Sequence, residues 1–244
     1  MTKFVDLHLF VPFKDIEQQK KLITKSSELG YRLVGIPIPS TASPNDIETL
    51  RKLCSEAGLD FVTRVDLAPR TPRELLEDLR RLRRRFEIVS VLCASKPVAR
   101  QAAKDRRVDL LSFPATKPRD RFFDNAEAEL ASESLASFEI DLAPFLSLEG
   151  FLRTRLITSL RKELAIAKRF HVPVVISSGA TNEFLLRRPR DYAALTFLFD
   201  LDSSLALSAL SKAPLTIVER NRQKLSSGFV TPGLRVVRRG KDDP

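Results

Sequence analysis

The sequence predicts an α/β protein, a (β/α) barrel of about seven parallel strands with extra C-terminal helices. Apolar runs of strand length alternate with helical patterns almost from end to end, as a parallel sheet with crossover helices requires. The run Val172, Val174, Val175, Ile176 is apolar on both faces, the mark of a strand covered on each side. No linker or composition break interrupts residues 1–224, which therefore read as a single domain rather than an open sheet with an appendage.

The elements follow in βα order. Residues 4–9 open as a strand, and a helix over 15–30 places Ile16, Leu22, Ile23 and Leu29 on one face. After a strand at 33–38, Ser43, Pro44 and Asp46 read as N-cap, first helical residue and first-turn acid of a helix that ends at Gly58. Residues 59–65 are the third strand, and Thr71-Pro72 starts a helix to about Arg85. Strands at 86–92, 108–113 and 138–142 alternate with helices at 96–105 and 124–135. A long helix over 149–170 leads to the seventh strand at 172–176, and helices are expected at 190–199, 203–211 and 214–224. Residues 195–199 (LTFLF) fit an eighth strand as an alternative, but no turn signal separates them from Asp191 to Ala194, so helix is preferred. Residues 225–244 hold Arg235, Arg238, Arg239 and Lys241 among glycines, prolines and acids, and read as a partly ordered basic tail.

Lys and Arg exceed Asp and Glu by 41 to 31, a net charge of +10, which favours a polyanionic partner without bearing on the fold. Cys54 and Cys93 lie in apolar patterns with no CxxC spacing and are expected reduced, buried and inert, as in a cytosolic compartment. The first ten residues, MTKFVDLHLF, read as a strand rather than a signal peptide. No uncharged apolar run approaches the roughly 20 residues of a membrane span, so the expected location is cytoplasmic and no membrane partner is expected.

Catalytic groups are sparse at the strand ends, where barrel chemistry resides. Asp6 and His8 are two apart on the first strand and are expected to share the barrel mouth. With Asp66, Glu139 and Asp141 they are the available metal ligands, a thin set because the second histidine, His171, precedes its strand. An Asp-His-Ser set of Asp6, His8 and Ser177 uses residues common in any chain, and no G-x-S-x-G, dinucleotide or P-loop motif is present.

Groups suited to holding phosphate are better represented. Ser177, Ser178 and Gly179 follow the seventh strand, where two hydroxyls and backbone N–H groups could cradle an anion, although such a turn is often only a turn. Arg187, Arg188 and Arg190 follow closely. The helix starting at Pro72 turns Leu75, Leu76, Leu79 and Leu82 inward and leaves Arg80, Arg81, Arg83, Arg84 and Arg85 outside, with Glu77 placed to pair with Arg81. Arg64, Lys96, Arg100 and Arg107 extend the basic character through neighbouring units, and arginine suits bidentate phosphate contacts. With only two tyrosines and phenylalanines confined to apolar patterns, contact with structured RNA through phosphates fits better than base stacking.

Val174-Val175-Ile176-Ser177-Ser178-Gly179-Ala180, followed by Arg188-Pro189-Arg190-Asp191 and Ala193-Ala194-Leu195, resembles the V-I-I-S-S-G-A and R-S-P-x-D blocks of the archaeal ribonuclease P protein component 3 family, related to the thirty-kilodalton subunit of the eukaryotic enzyme. The resemblance covers nearly the whole chain: Phe4-Val5-Asp6-Leu7-His8 is similar to the opening strand, Phe138-Glu139-Ile140 to the sixth, and Val218-Glu219-Arg220-Asn221 to the closing helix. It implies a TIM-barrel-like fold related to the polymerase and histidinol phosphatase (PHP) superfamily without that superfamily's metal site, since Asp6-Leu7-His8 stands where His-x-His would open the barrel. It also implies a noncatalytic protein subunit of the ribonucleoprotein that removes the 5′ leader from precursor tRNA. The implied partners are ribonuclease P RNA, the small component 2 and other protein subunits, with precursor tRNA contacted indirectly. Mg²⁺ is expected on the RNA subunit and no cofactor in this chain. Arg64, Arg80, Arg81, Arg84, Lys96, Arg100, Arg107, Ser177, Ser178, Gly179, Arg187, Arg188 and Arg190 are the candidate RNA- or partner-binding residues, with no catalytic or metal residue. The alternative is a metal-dependent phosphoesterase of that superfamily with a reduced site of Asp6, His8, Glu139 and Asp141.

Overall fold

The computed structural model describes residues 2–13, 15–116, 121–226, 229–231 and 234–235. Seven parallel strands lie in sequence order: β1 (Phe4–Asp6), β2 (Tyr31–Pro37), β3 (Asp60–Leu67), β4 (Ile88–Leu92), β5 (Leu110–Ser112), β6 (Ser137–Asp141) and β7 (Val174–Ser177). Between them run α1 (Ile16–Glu28), α2 (Pro44–Glu56), α3 (Pro72–Leu82), α4 (Lys96–Lys104), α5 (Asn125–Ser134), the short α6 (Ala143–Ser147) and the long α7 (Gly150–Arg169). Then come α8 (Pro189–Leu195), α9 (Ser203–Ala209) and α10 (Lys212–Leu225), and a two-stranded antiparallel pair, β8 (Phe229–Thr231) with β9 (Leu234–Arg235).

Local sequence explains the helix starts. Ser43 and Asp46 form a reciprocal capping box ahead of Pro44, and Thr71 accepts from the Glu74 N–H ahead of Pro72, so the orphan donors of each first turn are met within the chain. The preferred reading of residues 195–199 as helix agrees with the structure, and the start of the last helix is revised. Residues 195–199 are helical, α8 passing into a 3₁₀ turn at Thr196–Phe199, because Leu195 and Thr196 continue the α8 hydrogen bonding without a break. The last helix starts at Lys212, two residues before Pro214, since a proline in a first turn forgoes only an N–H that has no partner there. Part of the expected tail is the β8 and β9 pair, and residues 236–244, with Arg238, Arg239 and Lys241, lie outside the described residues.

The barrel interior is layered. Val5, Leu7, Leu33, Val62, Ile88, Leu110 and Val175 form an apolar plug, all at or near zero exposure. Each strand alternates faces, so the next inward positions toward the carboxyl ends are Gly35, Arg64, Ser90, Ser112, Glu139 and Ser177, which are polar or small. Gly35 is required here because a Cβ would lie 2.6 Å from the Leu7 carbonyl oxygen, far inside contact distance.

At the amino ends α10 seals the plug with Ile217 and Val218. Polar bonds to strand starts hold it there: Arg222 grips Asp60 through both terminal nitrogens at 2.9 Å and Glu87 through Nε at 2.7 Å. Asn221 donates to the Glu87 carbonyl at 2.8 Å, and Arg220 pairs with Asp109 at 3.1 Å. The Val218 to Asn221 motif is therefore a floor for the barrel, and a cavity opens at the opposite, carboxyl end.

Candidate functional site

Arg64 of β3 dominates the carboxyl end. Its side chain is 1% exposed and faces Glu139 of β6, with Nη1 to Oε1 at 2.6 Å and Nη2 to Oε2 at 2.7 Å, a bidentate pair inside the barrel. The remaining donors reach the Leu7 carbonyl at 2.9 Å and, through Nε, Asp66 at 2.7 Å. Ser177 donates to Glu139 Oε1 at 2.8 Å and Ser90 to Oε2 at 3.3 Å, so both carboxylate oxygens of Glu139 are doubly engaged. Such saturation offsets the cost of taking a carboxylate out of water.

His8, just beyond β1, bridges the rim. Its Nδ1 lies 2.9 Å from Asp141 Oδ2 and its Nε2 3.3 Å from Asp66 Oδ2. Burial and the Arg64 charge push the imidazole pKa down, but Asp141 and Asp66 outweigh them and raise it to about 10, so His8 is a second fixed cation at neutral pH. Partial desolvation pushes the Asp66 carboxyl up, but the Arg64 charge, with His8, outweighs it and holds Asp66 well below the usual carboxylate range. Above these groups lies a cavity of about 330 Å³, walled by Leu92, Phe113, Pro114, Pro144, Leu156 and Leu160.

His8, Glu139 and Asp141 each bring one ligand atom within 4.8 Å of the others, a spacing that a metal ion could use. The donor set does not fit one. A cation would have to displace a guanidinium from Glu139 and a proton from an imidazole that holds it to about pH 10. Asp6 is absent from this group, contrary to the expectation that it shares the mouth. The strand ends at Asp6, whose Oδ1 accepts from the backbone N–H groups of His8 at 3.1 Å and Ser178 at 2.9 Å. The Asp-His-Ser set is likewise not assembled, because Ser177 bonds Glu139 and His8 bonds Asp141.

The Ser177 to Gly179 turn closes the barrel. Strand pairing between β1 and β7 consists of one isolated bridge, Leu9 to Ala180, supported by Gly179 N–H to the His8 carbonyl at 2.9 Å and Phe10 N–H to the Ala180 carbonyl at 3.0 Å. The Ser178 hydroxyl adds a bond to the same His8 carbonyl at 3.0 Å. Gly179 sits at φ +58°, and a Cβ there would fall 2.8 Å from Asp141 Cβ. The expected anion cradle thus exists, but it holds carboxylates of its own chain: Ser177 serves Glu139 and Ser178 serves Asp6. Both serines are buried, and their polar groups are engaged by Glu139, Asp6 and the His8 carbonyl. Arg64 is buried likewise, with its donors taken by Glu139, Asp66 and the Leu7 carbonyl.

The other basic candidates lie on the outer surface in two separate places. On α3, Arg80 and Arg84 are exposed, while Arg81 pairs with Asp78 at 2.7 Å rather than with Glu77, which Arg73 takes at 2.9 Å. Arg83 is not on the outer face, being drawn under the helix to Asp109 at 3.1 Å. Lys96 and Arg100 of α4 lie 3.9 and 3.7 Å from Asp124, and Arg107 pairs closely with Asp105. Arg187 spends its guanidinium on the Phe184 and Leu186 carbonyls at 2.7 Å, and Arg188 and Arg190 are exposed near the starts of β1 and β2. The turn at the mouth and the arginines that follow it are thus at opposite ends of the barrel. Cys54 and Cys93 are fully buried, and burial raises the Cys54 thiol to about 12.

Sequence reading missed the pairing of Arg64 with Glu139. The one available signal was an arginine two residues before Asp66 within the strand FVTRVDL, an alternation that places both on the inner face.

Arg64→Met leaves Glu139 buried without a counter-charge and lowers unfolding stability by about 3–5 kcal/mol in urea titration, whereas Arg64→Met combined with Glu139→Gln recovers most of that loss. Additive losses would mean that the pair is not coupled. His8 has a raised folded pKa, so its contribution is complete below pH 6.5 and disappears as pH rises through about 10. The stability gap between the native chain and His8→Asn is accordingly widest below pH 6.5 and closes in alkali, and a gap that grows with pH would contradict the ion triad.

Comparison with known proteins agrees with this architecture. The family described as RNase P subunit p30 matches residues 3–226. A ribonuclease P protein component 3 from Methanothermobacter thermautotrophicus is 28% identical over 90% of each chain, and that of Methanosarcina barkeri is 31% identical over 90% of each. A chain in a cryo-EM structure of archaeal ribonuclease P with mature tRNA has the same fold, with a TM-score of 0.82 and 22% identity over 98% of this chain and 100% of that one. Since the family match runs from the first strand to the end of the helix that floors the barrel, the chain belongs to the RNase P subunit p30 family.

Proposed function

We propose that this chain is a protein subunit of ribonuclease P, the ribonucleoprotein that cleaves the 5′ leader from precursor tRNA, and that it serves the particle by binding rather than by chemistry. The observation that carries the reading is family membership over residues 3–226. The relatives' name, ribonuclease P protein component 3, and the fold shared with a chain of the archaeal particle support it.

The mouth of the barrel favours a noncatalytic role. General acid-base or metal-assisted cleavage needs a group free to exchange a proton or ligand, and there Arg64, Glu139, His8 and Asp141 are spent on one another. In this reading cleavage belongs to the RNA subunit with its Mg²⁺, and this chain helps the RNA fold and stay active. Its protein partners would be the small component 2 and the other subunits, and precursor tRNA would be reached indirectly. The metal-dependent phosphoesterase alternative would require Asp6, His8, Glu139 and Asp141 to be released from the bonds they make within the chain. No helix among the described residues is long and apolar enough to cross a membrane.

A net charge of +10 predicts binding to ribonuclease P RNA that weakens steeply with salt. With about four phosphate contacts, a fourfold rise in salt lowers affinity on the order of 100-fold in filter-binding or anisotropy titrations of the chain with its small partner. Absence of RNA binding at moderate salt would end this reading.

A further inference from the structure

Of four cavities among the described residues, three have carboxylates in their walls. The mouth has Asp66, Glu139 and Asp141; a second against α1 has Glu17, Glu28 and Glu183; a third between α7 and α9 has Asp200 and Asp202. The fourth, a groove of about 390 Å³ at the amino-terminal rim, has Lys3, Arg32, Arg188 and Arg190 as its charged walls and no acid among its lining residues. Its floor is small or apolar, with Thr2, Phe4, Leu29 and Gly30.

The sequence separates these cations widely, and the topology joins them. Parallel pairing sets Phe4 opposite Tyr31, which brings Lys3 and Arg32 together at the starts of β1 and β2. The loop after β7 returns down the outside of the barrel to place Arg188 and Arg190 beside them. That loop is held from beneath. The Tyr31 hydroxyl donates to the Arg187 carbonyl at 3.3 Å, the Tyr192 hydroxyl to the Leu185 carbonyl at 2.6 Å, and Arg187 itself ties down the Phe184 and Leu186 carbonyls. Pro189 fixes the backbone between the two exposed arginines, so little ordering remains to be done on binding.

The charge here is also less neutralised than on the α3 and α4 face. There Arg81, Lys96, Arg100 and Arg107 have carboxylates within 4.0 Å while Arg80 and Arg84 pair with none among the described residues, whereas in the groove Lys3 is the one cation paired among the described residues, with Asp60 at 3.3 Å and both side chains substantially exposed. Exposed pairs of that kind are weak and yield readily to a stronger anion. A groove with three planar, forked donors over a small or apolar floor is suited to a phosphodiester backbone, which takes bidentate contacts.

We propose that the amino-terminal rim, through Arg32, Arg188 and Arg190 with Lys3, is the surface on which this chain holds phosphates of ribonuclease P RNA, in place of the α3 and α4 face. The proposal rests on the reading of the chain as a ribonuclease P subunit and adds to it the RNA-bearing face.

The test uses the full chain with its small partner and cognate ribonuclease P RNA, titrated across a salt series. Arg32→Ala combined with Arg188→Ala and Arg190→Ala is expected to lower RNA affinity at least tenfold and to reduce the slope of log affinity against log salt by about 2 to 3. Arg80→Ala with Arg84→Ala leaves that slope unchanged. Arg188→Gln, a single exposed change, reduces the slope by about 1 and keeps the result interpretable should the triple variant fold poorly. An unchanged slope in the groove variants beside a reduced one in the α3 variant overturns the rim while leaving the subunit reading intact. Loss of assembly with the small protein at undiminished RNA affinity also overturns it, by making the groove a protein contact. A native chain that binds no RNA overturns both.

Discussion

The buried fork between Arg64 and Glu139 is the interaction on which the rest of this barrel depends. A carboxylate buried above the apolar plug would be costly alone, and the guanidinium makes it tolerable because both of its oxygens and nearly every donor around it are engaged. From that pair the charge propagates outward. Arg64 and His8 both pull on Asp66, and His8 is held between Asp66 and Asp141. The outcome is a mouth with a cavity and no reactive group at liberty. In a fold that elsewhere supports chemistry at this same end, an internal cation converts the site into structure.

The Ser-Ser-Gly turn belongs to the same network. It touches Glu139 through Ser177, Asp6 and His8 through Ser178, and Asp141 by the close approach of Gly179. Because one isolated bridge is all the strand pairing between β1 and β7, these side-chain bonds supply the closure that an eighth strand would otherwise give. The barrel is thus closed at the seam and filled at the mouth by one set of residues, and floored by α10 with Arg222 and Asn221 at the other end. Exposed basic surface remains on the outside and at the amino-terminal rim.

Element order was legible because hydrophobic period is a local property, and each strand and helix carries its own. Leu195 to Phe199 was ambiguous for the same reason: five apolar or β-branched residues satisfy either period, and only the continuous hydrogen bonding from α8 decides. The site was less legible. Glu139 and Arg64 are 75 positions apart, and neither neighbourhood states that the two meet inside the barrel. Ser177 and Ser178 carry donors suited to anions, and which anions they meet, Glu139 and Asp6, is a tertiary fact. The arginine cluster was read as contiguous with the turn because it is so in sequence, whereas the intervening loop carries it to the opposite rim.

Metal titration by calorimetry, with metal analysis of the purified chain, probes the central claim that Arg64 and His8 serve as the cations of the mouth. Zinc and manganese are predicted to give no stoichiometric binding in the native protein and no phosphatase activity. One equivalent of tightly bound metal accompanied by phosphoester hydrolysis would contradict the account, since it would show that Glu139, Asp141 and His8 can be released for chemistry.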